Sequence, residues 1–137
     1  RLNAVGKKVI VPRSGASTPF LKDLLDKIGL KIVELYLYDV CAFRDTSQWN
    51  NFRSLFSQNS VDGIIFTSAS SVRAFFEIME KDFEHPQLVE NLDKTKVIAI
   101  GPFTADELKK FDVRNIIADV HTVAGSVDVI ANELSLA

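Results

Sequence analysis

Five short apolar runs alternate with five stretches of helical periodicity along this chain of 137 residues. The first run, residues 7–12, carries Val9, Ile10 and Val11 and is expected to end at Pro12. The second, residues 31–38, carries Ile32, Val33, Leu35 and Leu37. The third is Ile64, Ile65 and Phe66, the fourth spans residues 96–100, and a weaker fifth spans 115–118. Strands that alternate with helices imply a parallel sheet covered on both faces. Right-handed crossovers then favour an α/β, flavodoxin-like, doubly wound sheet of five strands in the order 2-1-3-4-5.

The helices announce themselves by spacing and punctuation. Thr18 is a good N-cap, with Pro19 at the first helical position, before an apolar face of Phe20, Leu21, Leu24, Leu25 and Ile28. Gly29 reads as the C′ glycine that ends that helix. Trp49, Phe52, Leu55 and Phe56 suggest a second helix. Val72, Phe75, Phe76 and Met79 follow the i, i+3, i+4, i+7 spacing of a third. A short extra helix is expected over residues 86–93, then one on Ala105, Leu108 and Phe111. The last is expected to bury Val123, Val127, Ile130, Ala131 and Leu134. The chain reads as one α/β domain: a strand–helix–strand unit over 1–38, a linker-like segment over 39–46, and the remaining elements over 47–137.

In the expected sheet every strand opens at its C-terminal end onto one rim, where ligands bind in such folds. Three rim loops join hydroxyls or glycine to a helix start. Ser14, Gly15, Ser17 and Thr18 form the first; Thr67, Ser68, Ser70 and Ser71 the second; Gly101 and Thr104 the third. Helix starts offer unpaired N–H groups and the positive end of the dipole, so these loops suit carboxylates or phosphates. The plainer reading of the hydroxyls is helix capping alone. Arg13, Arg44 and Arg73 lie near enough to add charge-assisted bonds, or to be solvated surface arginines. Tyr36 and Tyr38 point to one face of their strand. Tyr38, at the strand end, could donate to a leaving group or merely wet its hydroxyl.

Much chemistry is excluded. The net charge of −2 offers no general attraction to nucleic acid or membrane surfaces. A lone cysteine, Cys41, allows no internal disulfide, leaves no cysteine cluster for zinc, and fits a reducing, cytoplasmic setting. No apolar stretch is long enough to span a membrane. No signal-peptide pattern opens the chain, and its start at Arg1 reads as a fragment or a trimmed chain. His85 beside Pro86 is expected to be exposed, and His121, on the rim, to contact solvent at a helix start rather than to act in catalysis; no metal site is expected. No P-loop, G-x-G-x-x-G, H-E-x-x-H or nucleophile elbow occurs. A receiver domain is excluded too, because Pro12-Arg13 and Thr67 stand where its acidic residues belong.

Taken together, Val9-Ile-Val-Pro-Arg13, Leu37-Tyr-Asp-Val40, Phe66-Thr-Ser-Ala-Ser-Ser-Val-Arg-Ala-Phe75, Ile98-Ala-Ile-Gly-Pro-Phe-Thr-Ala105 and His121-Thr-Val-Ala-Gly125 resemble the uroporphyrinogen-III synthase family. The stretches fall in that family's order. The resemblance implies a cofactor-free enzyme that cyclises hydroxymethylbilane with inversion of its last pyrrole ring and loss of water. Such a linear tetrapyrrole carries eight carboxylates. By the same resemblance Tyr38 would assist departure of the hydroxyl. Ser68 and Thr104 match the family's serine and threonine turns, and Arg13, Ser14, Thr67, Ser70 and Gly101 would join them in binding carboxylates. Phe103 stands where the family often has another hydroxyl, which thins the anion site there.

The family has two similar α/β domains joined by a two-stranded linker, and this chain resembles its C-terminal half. Two arrangements follow for the first strand–helix–strand unit. It folds back to complete one five-stranded domain, or it pairs with another chain in a swapped homodimer. Two other functions stay open at this level: a catalytically silent half that binds a polyanion or partner, and a flavin-binding carrier, which would be yellow.

Overall fold

The computed structural model describes residues 4–15 and 19–136. The chain divides into two compact units, Arg1–Cys41 and Ala42–Ala137.

In the first unit β1 (Lys8–Ser14) pairs in parallel with β2 (Lys31–Tyr38), and α1 (Phe20–Lys27) connects them. Pro12 does not end the strand but lies inside it, opposite Leu35. In a two-stranded sheet each strand has one unpaired flank, so the missing proline N–H forfeits no ladder bond. Arg13 and Ser14 are therefore strand residues rather than loop residues, with a register shift between them that sets Ser14 opposite Tyr38. Pro19 occupies the cap position of α1; the expected cap, Thr18, lies with Ser17 outside the described residues. At the other end Gly29 has φ +79°. Its N–H bonds to Asp26 O at 2.9 Å and that of Leu30 to Leu25 O at 3.2 Å, the paired bonds of a Schellman cap.

The apolar residues of this unit are thinly covered. Of the expected helix face only Leu25 is half-buried, while Phe20, Leu21, Leu24 and Ile28 are exposed. Ile10 on β1 and Val33, Leu35 and Leu37 on β2 are exposed as well.

The second unit holds a three-stranded parallel sheet, β3 (Gly63–Phe66), β4 (Lys96–Ala99) and β5 (Ile116–Ile117), in the order β3-β4-β5. The five strands thus form two sheets, and no ladder joins β1 to β3 among the described residues. Residues 39–46 carry neither strand nor helix. A 3-10 turn (Ser47–Trp49) leads into α2 (Asn50–Ser57); α3 (Ala69–Met79), α4 (His85–Asp93), α5 (Pro102–Lys110) and α6 (Val123–Ser135) follow.

Alternation along β4 decides the layers. Val97 and Ala99 join the core of Phe56, Phe66, Val72, Phe75, Phe76 and Leu108. Ile98 points the opposite way and is fully buried on the face crossed by α6. Phe76 stacks on Phe111 with centroids 4.1 Å apart. His85, expected to be exposed, is half-buried against Phe76, with its Nδ1 2.8 Å from Glu80 Oε1.

The last helix turns a different face inward from the one its valines suggest. Gly125 and Ser126 are buried and Val129, Ile130 and Glu133 are half-buried, whereas Val123, Val127 and Leu134 are exposed. Close approach explains the choice. Gly125 lies so near Val120 O that an added Cβ would meet it at 2.2 Å, and Gly63 on β3 leaves the space filled by Ile130. Small residues let backbones meet, and they outrank valines in setting the contact.

Candidate functional site

The turns 67–71 and 100–104 leave neighbouring strands at one end of the sheet, where Ile100 N–H donates to Phe66 O at 3.0 Å. At the first turn the hydroxyls serve the helix. Ser68 Oγ caps α3 by accepting from Ser71 N–H at 3.0 Å, Ser71 Oγ donates to Ser68 O at 2.7 Å, and Ser70 Oγ stands 3.0 Å from Ser68 Oγ. Only Thr67 is exposed. An anion here would meet chiefly the backbone N–H groups of Ala69 and Ser70, which have no acceptor within the helix.

At the second turn Gly101 caps α5 without a side chain, and Pro102 brings no N–H. Ile100, Gly101, Pro102, Phe103, Thr104 and His121 line an open pocket of about 230 Å³. Thr104 is 3% exposed. Gly101 and Thr104 are thus brought together, joined by His121, a residue expected on the rim and exposed there. Position is the signal that places it: His121 directly precedes Thr122, whose Oγ1 caps α6 by accepting from Gly125 N–H at 3.0 Å. A residue before the cap of a helix that follows a strand must stand on the rim.

Two arginines expected on the rim are held by carboxylates. Arg13 pairs with Glu34 in the first unit. Arg73 Nη1 stands 3.2 Å from Glu107 Oε2, tying α3 to α5. Burial pushes the Glu107 carboxyl up, but its bonds with Lys110 and Arg73 outweigh that and hold it below the ordinary carboxylate range. In the first unit Tyr36, not Tyr38, is the engaged phenol: it donates to Glu34 Oε2 at 3.0 Å, and that bond raises its pKa. Tyr38 is 62% exposed at the end of β2. Gly15 N–H donates to Tyr38 O at 2.9 Å, and the Asp39 carboxylate lies against Gly15, which sets negative charge beside the first loop.

Among the described residues no cluster of three or more histidine, cysteine, aspartate or glutamate side chains could hold a metal ion. No helix there is long and apolar enough to cross a membrane.

The family model described as uroporphyrinogen-III synthase HemD matches residues 1–128. The chain belongs to the uroporphyrinogen-III synthase family. A protein of Methanothermobacter thermautotrophicus, provisionally named uroporphyrinogen-III synthase, is 27% identical over 130 residues, which cover 95% of this chain and 51% of that one. The structure of uroporphyrinogen-III synthetase from Helicobacter pylori superposes with a TM-score of 0.61 at 22% identity, covering 96% of this chain and 54% of that one. That of the Thermus thermophilus synthase gives 0.58 at 22% identity, over 96% and 50%. These superpositions show a shared α/β fold. The chain spans about half the length of the curated relatives it matches. Membership in the uroporphyrinogen-III synthase family leaves the flavin-carrier alternative unsupported.

Proposed function

We propose that the chain forms one half of the substrate cleft of a uroporphyrinogen-III synthase and takes part in the ring-inverting cyclisation of hydroxymethylbilane. One observation carries the reading. The Gly101–Thr104 turn, one of the stretches by which the sequence resembles the family, lines a pocket without an acidic side chain at the open end of the sheet. A polycarboxylate chain must be folded into one cyclisable shape, and binding several of its carboxylates at helix starts does that work before bonds change. Ser68 and Ser70, with Thr67 beside them, place the start of α3 for one carboxylate; Gly101 and Thr104 place that of α5 for another. Arg13 and Ser14 are the first unit's candidates for binding carboxylate, and Arg13 would have to share its guanidinium with Glu34 to do so.

Tyr38 is the proposed acid. Its phenol donates to the departing hydroxyl, which leaves as water. The terminal ring attacks the cation left behind through its substituted α-carbon, and its bond to the neighbouring ring breaks and re-forms at the free α-carbon. The proton of that carbon is lost back to the phenolate, so that the ring is inverted. Water exclusion and the second wall of the cleft require a further lobe. We infer that it comes from a second copy, with the β1–α1–β2 unit swapped so that each sheet reaches the order 2-1-3-4-5.

The test is an isomer assay. Hydroxymethylbilane is generated in place, with and without the full chain, and the type III to type I uroporphyrinogen ratio is read by chromatography. Enrichment of type III is expected, with Tyr38→Phe slowing it about 100-fold while leaving the fold intact. Type I product alone, from a folded protein, would remove the catalytic reading.

A further inference from the structure

Neither the sheet nor the candidate site accounts for the outward stripe of α6. Val123, Val127 and Ala131 recur every four residues, with Leu134 beyond them, and all four are exposed. Lys96, at the start of β4, pairs with Glu133 near the end of α6, so the helix runs antiparallel to the strands. Ser126, Val129 and Ile130, buried or half-buried, mark its sheet side. Residues advance about 100° per step around a right-handed helix. Val123 and Val127 therefore lie on the flank that looks outward past β3, and Asp128 and Asn132 on the flank toward β5.

Handedness says what belongs beside that flank. The crossovers α3 and α5, which step from β3 to β4 and from β4 to β5, pack on the face of Val97 and Ala99. A strand pair added at the open edge of β3 in the order 2-1-3 steps the opposite way. Its right-handed crossover must then lie on the α6 face. Packed helices stand about 8–10 Å apart, two strand spacings, and α6 crosses β3 and β4, so the next helix sits over the added pair. The helix α1 suits the place. Leu25, half-buried, marks its side on β2, which leaves Phe20 and Leu24 exposed on one flank, again four residues apart. Charge agrees as well. Residues 1–41 hold seven lysines and arginines against four acids, a net +3, and residues 42–137 nine against fourteen, a net −5. Within α6 itself Asp128 and Glu133 have no cation beside them in sequence.

We propose that the outward stripe of α6 is the seat of α1 from a second copy, with Phe20 and Leu24 of that copy against Val123 and Val127. The seat deepens the exchange inferred above and rests on it for the source of the helix.

Two variants of the full chain test the seat. Both carry Cys41→Ser, which removes the native cysteine, and Leu24→Cys; one adds Val127→Cys and the other Asp128→Cys. These are exposed positions, and melting temperatures check the fold. A short bismaleimide is added, and products are read by denaturing gel and peptide mass spectrometry. A product of two-chain mass joining residues 24 and 127 is expected, with the link lost in the Asp128→Cys variant. Links within single chains only would overturn the seat for a second copy and the exchange with it. A protein of two-chain mass without the 24–127 link, or linked equally in both variants, would overturn the seat and leave the exchange standing. Linked copies whose wild type makes only type I product keep the seat and remove the cyclase.

Discussion

Gly101 and Gly125 both stand at helix starts, yet they carry different burdens. Gly101 has an extended backbone, φ −172°, which any residue adopts, and its nearest neighbour to a new Cβ is a side-chain ring atom at ordinary contact, 3.4 Å. A Cβ on Gly125 would fall 2.2 Å from Val120 O and 3.0 Å from Val120 C, which are backbone atoms. They cannot give way cheaply, because Val120 O also accepts the Thr122 N–H at 2.7 Å. Gly125→Ala is therefore expected to destabilise the protein by about 1–3 kcal/mol, the cost of overpacking. Gly101→Ala should change stability by less than about 0.5 kcal/mol. Urea midpoints at unchanged slope measure both. Equal shifts in the two variants would show that the Val120 contact does not govern the start of α6.

At the scale of elements, the tie between α3 and α5 depends on pH. Glu107 is 8% exposed and bonded to Arg73 and to Lys110, the latter at 2.9 Å. Its pKa is depressed in the folded chain, so the unfolded chain takes up the proton first as pH falls. The stabilisation is complete above the unfolded glutamate value, about 4.3, and drains as pH falls toward the lower folded value. Both cations are more than a third exposed, which limits its size. Glu107→Gln is expected to cost about 1 kcal/mol at pH 7. Denaturation from pH 7 to pH 3 should show the gap between wild type and variant closing on the acid side. A gap constant across that range would mean that packing, rather than charge, is what the substitution removes.

The same scale shows what the sequence could and could not disclose. Strand and helix identities followed from period and punctuation, as at Gly29 and Thr122. Residue by residue, Pro12 misled, because a proline stops a strand only where its missing N–H is needed, and pairing on one flank does not show in the local sequence. The α6 face misled for a related reason. Val123 and Val127 advertise burial by hydropathy, but Gly63 and Gly125 decide it by permitting contact, and that requires knowing which strand the helix crosses. The serines of the α3 turn were legible both as donors and as caps, and capping is the part that Ser68 and Ser71 fulfil. His121 joined Thr104 only through the neighbouring ends of β4 and β5, a tertiary relation.

For the whole molecule, the thin cover of the first unit matters most. Ile10, Val33, Leu35 and Leu37 are 65%, 51%, 49% and 60% exposed, and α1 leaves Phe20 and Ile28 at 50% and 56%. A segment of about 40 residues does not bury enough apolar surface to hold itself together. In the second unit β3 ends its sheet, and beside it Trp49, Phe52, Ile64 and Phe75 line an apolar pocket of about 410 Å³. The exchange of the β1–α1–β2 unit between two copies proposed above would supply a strand for that edge and cover for those side chains at once. Light scattering during size exclusion is thus expected to return the mass of two chains, with dissociation on dilution lowering the melting temperature. Leu35→Lys, which sets a charge on the apolar face of β2, should shift the protein toward monomer and abolish type III product. A wild-type chain that is monomeric at every concentration and still makes type III product would rule out the swap and require the unit to close its sheet in cis.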